Sequence, residues 1–278
     1  MSILKKNGIR YQRTFKQFLL FILMITLQFC GGPSKRHEII DPASFSAEDI
    51  LTKKNIPQSH KAFLARFLPE IHIANNKILS LRNKMLDLKD TVKDDDSFDD
   101  VHLQKLNSVL KKYRLEPLPA NPSPTSETIE EAIQKLLKRL DIIPVKLVMA
   151  QAIIESGWGS SGFAKDGNNY FGVHCYTEGC GVKPAANDSS DFYVKTYRSE
   201  MAGIEDYLRI LNTGHAYRGL RQTRLELRSK HKPIDAIALA QGLSRYSAKG
   251  MEYVTMVSNI IRNYIPENTN ELLAGKTK

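Results

Sequence analysis

One carboxylate closes the most apolar helical stretch of the chain. Residues 145–154 are apolar except for Lys146 and Gln151, and Glu155 follows at once, with Ser156-Gly157-Trp158-Gly159 behind it. A run that is apolar at nearly every position reads as a helix buried on all sides, not along one stripe. An ionisable group at its end sits where core meets solvent. Desolvation there disfavours the charged form and raises a carboxyl pKa, which is what a general acid near neutral pH needs. Gly157 and Gly159 let the chain leave the helix through conformations closed to most residues. The plain alternative is a carboxylate that merely faces water at a helix end.

Four further stretches follow in order: Asn168-Asn169-Tyr170-Phe171-Gly172, then VHCYTEGCGVKP (173–184), LNTGHAYRGLR (211–221) and ALAQGLSRYSAKGMEYV (238–254). With ESGWG at 155–159, the set resembles the bacterial Bax-type glucosaminidases, cell-wall hydrolases of the lysozyme-like superfamily. The resemblance covers roughly residues 127–265. It implies a mainly helical, α+β lysozyme-like fold with a small β-hairpin lobe and a cleft between. It implies an exported peptidoglycan hydrolase that cuts the β-1,4 bond after N-acetylglucosamine, with Glu155 as general acid. Two rival readings remain. A lytic transglycosylase also needs one Glu at a helix end, and leaves anhydro-muramic ends. A wall-binding or assembly module would keep the fold without the activity.

Glycoside hydrolysis needs a second agent to activate water or stabilise charge on the sugar. Relatives of this kind present a second acid from the hairpin lobe, and the nearest residues in sequence are Asp188 and Asp191, with Glu178 behind them. All three lie in a polar loop, where a solvated carboxylate is the plain reading. No stretch matches the wider family's Thr-x-Glu strand pattern, so substrate assistance by an N-acetyl group stays open. Tyr246 and Tyr253 resemble the paired tyrosines of the family's C-terminal motif, one residue further apart than usual and without the usual Asp between them. Tyr246 is expected in the cleft as a catalytic residue and Tyr253 as substrate-binding, with a buried tyrosine bonded through its hydroxyl as the alternative for both. Asn169, Tyr170 and Phe171 are expected to build the cleft floor, the amide positioning sugar hydroxyls or the Glu155 carboxyl. Trp158, the sole tryptophan, is expected to wedge under the cleft. His174, His215 and His231 share no pattern. No phosphate loop, nucleophile elbow or metal-ligand set is present, so neither cofactor nor metal is expected.

Several elements must position these groups. A helical N-terminal region is read over 46–116, with helix over about 59–92, where Pro69 could break or kink it. Helix resumes at 101–113 beyond the acidic cluster at 94–100. Prolines 117, 119, 122 and 124 mark a stiff linker over 117–126, and the glucosaminidase domain follows over 127–265. Ser126 or Thr128 is the expected cap of its first helix, and Pro144 starts the core helix. Residues 192–197 favour a strand, and helices follow over 199–211, 234–243 and 251–264. The tail 266–278 is polar.

The 278 residues carry a formal charge of +10 and a pI of about 9.4. A basic balance suits any polyanion, but the cations are spread out and do not alternate with aromatic residues, so no nucleic-acid partner is expected. Residues 1–30 read as a signal peptide: basic residues at 5, 6, 10, 13 and 16, then an apolar run at 18–27 too short to span a bilayer comfortably. Cys30 with Gly31-Gly32 resembles a lipoprotein processing site, although Phe29 stands where a small residue is usual. Ordinary export is the alternative. The expectation is an exported, periplasmic or cell-envelope protein anchored as a lipoprotein, with 31–45 as a tether and peptidoglycan glycan strands as partner. Cys175 and Cys180, five apart with Gly179 between, read as a local disulfide in an exported chain. A zinc pair lacks further ligands nearby.

Overall fold

The core helix can be buried on every side because other elements surround it. In this computed structural model, which describes residues 56–92, 98–184 and 190–266, helix α4 spans Val145–Ser156 and ten of its twelve residues are buried. Pro144 is its N-cap, one position ahead of the expected first turn, and its carbonyl accepts from the amides of Leu147 (2.9 Å) and Val148 (3.1 Å). Gly157 ends it in the left-handed region at φ 55°. Ser156 ties the exit: its hydroxyl donates to the Ala152 carbonyl at 2.6 Å and accepts from the Gly159 amide at 2.7 Å. The signal peptide, Cys30, the tether 31–45, Asp188 and the tail from 267 lie outside the described residues.

In chain order the helices before α4 are α1 (Gln58–Thr91), α2 (Asp100–Lys112) and α3 (Ser126–Arg139). After α4 come α5 (Gly162–Gly167), α6 (Glu200–Thr213), α7 (Arg218–Ser229), α8 (Ala236–Ala240) and α9 (Met251–Tyr264). Thr125, not Ser126 or Thr128, caps α3 by accepting from the Thr128 amide. The small lobe has one strand more than the expected hairpin. Strands β1 (His174–Cys175) and β2 (Gly181–Val182) flank a central β3 (Tyr193–Lys195), all antiparallel. Cys175 opposes Tyr193, Gly181 opposes Lys195, and a Cys175–Cys180 disulfide closes the loop between the two flanking strands.

Helix α1 runs through Pro69 without a break. The ring removes one backbone donor, but Phe67, Leu68 and Ile71 beside it are fully buried, and tertiary packing outweighs local propensity. Helix α1 packs against the later helices. Phe63 to Leu88 share one apolar core with α3, α4, α6 and α9. The Asn75 amide donates to the Ile143 carbonyl at 2.9 Å and accepts from the Ile143 amide at 3.3 Å, pinning the approach to α4. The proline-rich stretch is held as well, since the Asn107 side chain pairs with both backbone groups of Leu118 at 2.8 and 2.7 Å. The helices before the proline-rich stretch therefore pack on those after it.

The turn between α3 and α4 rests on buried charge. Asp141 is 2% exposed. Arg228 grips it with two hydrogen bonds, 3.1 and 2.8 Å, while Arg224 and Arg82 stand 3.9 and 3.8 Å away. Arg82 also donates to the carbonyls of Leu137 and Leu140, and Arg224 to those of Asp141 and Ile142. The last carbonyls of α3 are thus satisfied by guanidinium groups from α1 and α7. Burial pushes the Asp141 carboxyl up, but the three arginines outweigh it and hold it well below the usual carboxylate range.

Removing one partner of such a buried cluster strands the others without compensation. Asp141→Asn should cost about 3–5 kcal/mol in urea unfolding near neutral pH. A carboxylate whose pKa is depressed by folding stabilises above its unfolded value and loses that contribution below it. The gap between parent and variant should therefore narrow as pH falls below about 4. A gap that is constant across pH would show that the charge of Asp141 does not carry the effect.

Candidate active site

Both oxygens of Glu155 have defined surroundings. Oε1 accepts from the Tyr253 hydroxyl at 2.7 Å. Oε2 faces Gly172, where an added Cβ would lie 3.4 Å from it. Gly172 is exposed and has φ +62°, so this neighbour of Oε2 brings no side chain against it. Burial raises the Glu155 pKa, and the Tyr253 hydrogen bond works against that rise. The charge of Glu155 is felt in turn by Tyr207, Tyr217, Tyr246 and Tyr253, all pushed upward chiefly by burial. The carboxyl sits among phenols.

A directed chain of hydrogen bonds backs it. The Tyr207 hydroxyl donates to Oε1 of Gln151, Nε2 of Gln151 donates to the Tyr253 hydroxyl at 3.1 Å, and Tyr253 donates onward to Glu155. An amide nitrogen donates and cannot accept, so Gln151 leaves Tyr253 one direction for its proton. Gln151 lies one turn before Glu155 on α4 and is fully buried, as is Tyr207. In sequence Gln151 is only an interruption of an apolar run. Its partners are 56 and 102 residues away, which no local signal reveals.

Both tyrosines are bonded through their hydroxyls, the alternative left open for the pair. Tyr253, expected to bind substrate, is 2% exposed and holds the carboxyl directly. Tyr246, expected to be catalytic, donates its hydroxyl to the Phe171 carbonyl at 2.7 Å and stacks on Tyr253 with ring centres 5.4 Å apart. It therefore braces the loop that passes Glu155. Tyr253 lies on the buried face of α9 and Tyr246 in the turn before it, and that difference decides which ring reaches the carboxyl.

Asn169, Tyr170 and Phe171 are all buried. The Asn169 amide donates to the carbonyls of Val173 and Lys195 at 2.9 and 2.8 Å, and its oxygen accepts from the amides of Phe171 and Val173. Its bonds all go to backbone, so it ties the loop to β3 instead of facing a sugar. Tyr170 donates to Glu200 at 2.5 Å, an oxygen shared with Arg66 of α1. Phe171 stacks on Tyr207, centres 3.9 Å apart. Together they set the position of Gly172.

Trp158 packs under the turn, parallel to His60 at 3.8 Å and edge-on to Phe63 and Tyr264. Asp191 is exposed just ahead of β3. Glu178 is exposed too, as are His174, His215 and His231, with His174 stacked on Phe192 at 4.0 Å. Tyr217, which sequence reading passed over, borders the site with its ring 6.0 Å from that of Tyr246.

Residues 130–265 match the model of the family described as Glucosaminidase, mannosyl-glycoprotein endo-beta-N-acetylglucosaminidase. The chain is 30% identical over 197 residues to protein bax of Escherichia coli (strain K12), an alignment covering 69% of this chain and 65% of that relative. The chain thus spans just under two thirds of that relative's length. No solved structure matches.

Tyr253→Phe strands a buried Gln151 donor and should cost about 1–3 kcal/mol, whereas Tyr246→Phe removes a single bond to a carbonyl and should cost about 1 kcal/mol. Urea midpoints of the two variants test the order. A larger loss in Tyr246→Phe would show that the Gln151–Tyr253 link is not what holds the site.

Proposed function

We propose, from the glucosaminidase match at residues 130–265 and the likeness to protein bax, that the chain is a Bax-type glucosaminidase and an exported peptidoglycan hydrolase. It cuts the β-1,4 bond after N-acetylglucosamine, and Glu155 is its general acid. The observation that carries this reading is Glu155 itself: burial raises its pKa, Tyr253 holds one oxygen, and the other borders the bare backbone of Gly172. A glycan laid along Gly172 would meet Oε2. Protonation of the glycosidic oxygen there releases the leaving sugar and builds positive charge at the anomeric carbon.

The second agent comes from the substrate in this reading. Among the described residues the groups around Glu155 are tyrosines, not a second carboxylate. The oxygen of the N-acetyl group on the sugar closes onto the anomeric carbon as the leaving oxygen takes the proton. Water then opens that ring, with the Glu155 carboxylate accepting its proton, so one water is consumed and the acid is restored. Tyr253 steadies the carboxylate between the two steps. Export is supported by the basic and apolar pattern of residues 1–30, and Cys30 is the proposed lipid anchor.

A lytic transglycosylase shares the first proton transfer, and a site with one carboxyl suits it too. The two differ in what attacks the sugar. A transglycosylase lets the muramic acid's own hydroxyl close a ring and consumes no water. The fragments released from purified wall, reduced with borohydride and weighed by mass spectrometry, are expected to end in reduced N-acetylglucosamine. Anhydro-muramic ends, or reduced muramic acid, would refute that specificity.

Two variants test the acid. Glu155→Gln is nearly isosteric but has no proton to give, so its rate should fall about 10²–10⁴-fold with the fold intact. Tyr253→Phe removes a hydrogen bond that favours the charged form of Glu155. A general acid works below its own pKa, so the alkaline limb of kcat/KM should move to higher pH. An unmoved limb would show that Tyr253 does not set the acid.

A further inference from the structure

Helix α7 carries arginines at 218, 221, 224 and 228, spaced three, three and four apart, and so along one stripe. The far half of that stripe is compensated, because Arg224 and Arg228 converge on Asp141. The near half is not. Arg221 donates to the carbonyls of Leu211 and Gly214 at 2.9 and 2.8 Å. Arg139, whose own carbonyl accepts from Arg224, donates to the carbonyls of Tyr113 and Arg114 at 2.8 and 2.7 Å. These bonds cap α6 and α2, which accounts for Arg221 and Arg139. They leave Arg114 and Arg218 without a structural task. Both are exposed, and among the described residues none of the four forms an ion pair.

Like charges gathered this way oppose folding. Burial, then the charges of Arg139 and Arg218, pulls the Arg221 guanidinium down to about 10. Arg139 is lowered by burial and then by Arg114 and Arg218. Two exposed arginines, Arg114 and Arg218, that add like charge beside this pair without a structural return are the mark of a surface kept for binding. Its place says for what. Arg218 directly follows Tyr217, whose ring is 6.0 Å from Tyr246 and feels the Glu155 charge. The arginines therefore begin at the edge of the catalytic site.

We propose that Arg114, Arg139, Arg218 and Arg221 form an anion-binding face that grips the carboxylates of the wall's peptide stems while the glycan lies in the cleft. The inference rests on the peptidoglycan reading. Guanidinium groups match carboxylates in a planar, two-bonded geometry. A run of stems on one strand would then hold the enzyme by charge at points beside the bond being cut, and that hold weakens with salt.

The test uses the full chain carrying Glu155→Gln, so that wall is bound and not cut. Retention on purified wall is measured against salt, once with intact wall and once with wall whose carboxyls are converted to neutral amides. The parent protein should bind intact wall about three- to tenfold more tightly than amidated wall. Adding Arg114→Gln and Arg218→Gln should abolish that difference and flatten the salt dependence. Equal binding of the parent to both walls would overturn the inference and leave the hydrolase reading standing. Binding to neither wall would sink both. Anionic phospholipid vesicles form the control arm: a salt-dependent loss caused by the two substitutions on vesicles but not on wall would assign the face to a membrane and overturn the inference.

Discussion

A hydrogen bond from the Tyr253 hydroxyl to Glu155 ties the carboxyl at the end of α4, the proposed acid, to the core of this protein. A carboxyl at the end of a largely buried helix is partly stripped of water, and that desolvation drives its pKa upward. Tyr253 opposes that drift. Gln151 fixes the direction of the tyrosine's proton, and Tyr207 fixes the Gln151 amide. Each member is held by the next, so the balance of burial and donation is a property of the packed core and not of a mobile side chain.

The rest of the structure keeps that balance in place. Helix α4 cannot slide, because its approach is pinned by Asn75 from α1 and by the arginines around Asp141. The loop ending at Gly172 cannot swing, because Asn169 ties it to β3, Tyr170 to Glu200 and Tyr246 to its own backbone. At Gly172 the loop offers the carboxyl no side chain. A site of this kind is built on rigid elements supported from behind.

How far the sequence discloses this follows from which signals are local. The core helix, the carboxyl at its end and the left-handed exit at Gly157 are legible because an unbroken apolar run and a glycine are local facts. The Cys175–Cys180 pairing is legible because its closure spans five residues. The roles of Tyr246 and Tyr253 are not, since a motif places both near the cleft and only the packing of α9 selects the one that touches Glu155. Asn169 has the composition of a sugar-binding amide, and its use as a brace depends on Lys195, 26 residues on. Prolines 117 to 124 imitate a boundary, yet the apolar face of α1 needs the core of the later helices to be buried at all. The arginines of α7 look like ordinary surface charge until α3 and Asp141 show which of them are neutralised.

The central claim is that Glu155 is held as an acid by burial and tempered by one phenol. Its most direct test is to follow the side-chain carboxyl carbons of the glutamates by NMR across pH in protein carrying ¹³C-labelled glutamate, with the Glu155→Gln spectrum identifying the resonance that belongs to Glu155. The account predicts a midpoint above the ordinary glutamate value of about 4.3, moving higher still in Tyr253→Phe. A midpoint at or below that value in the parent protein, or one that Tyr253→Phe leaves in place, would contradict it.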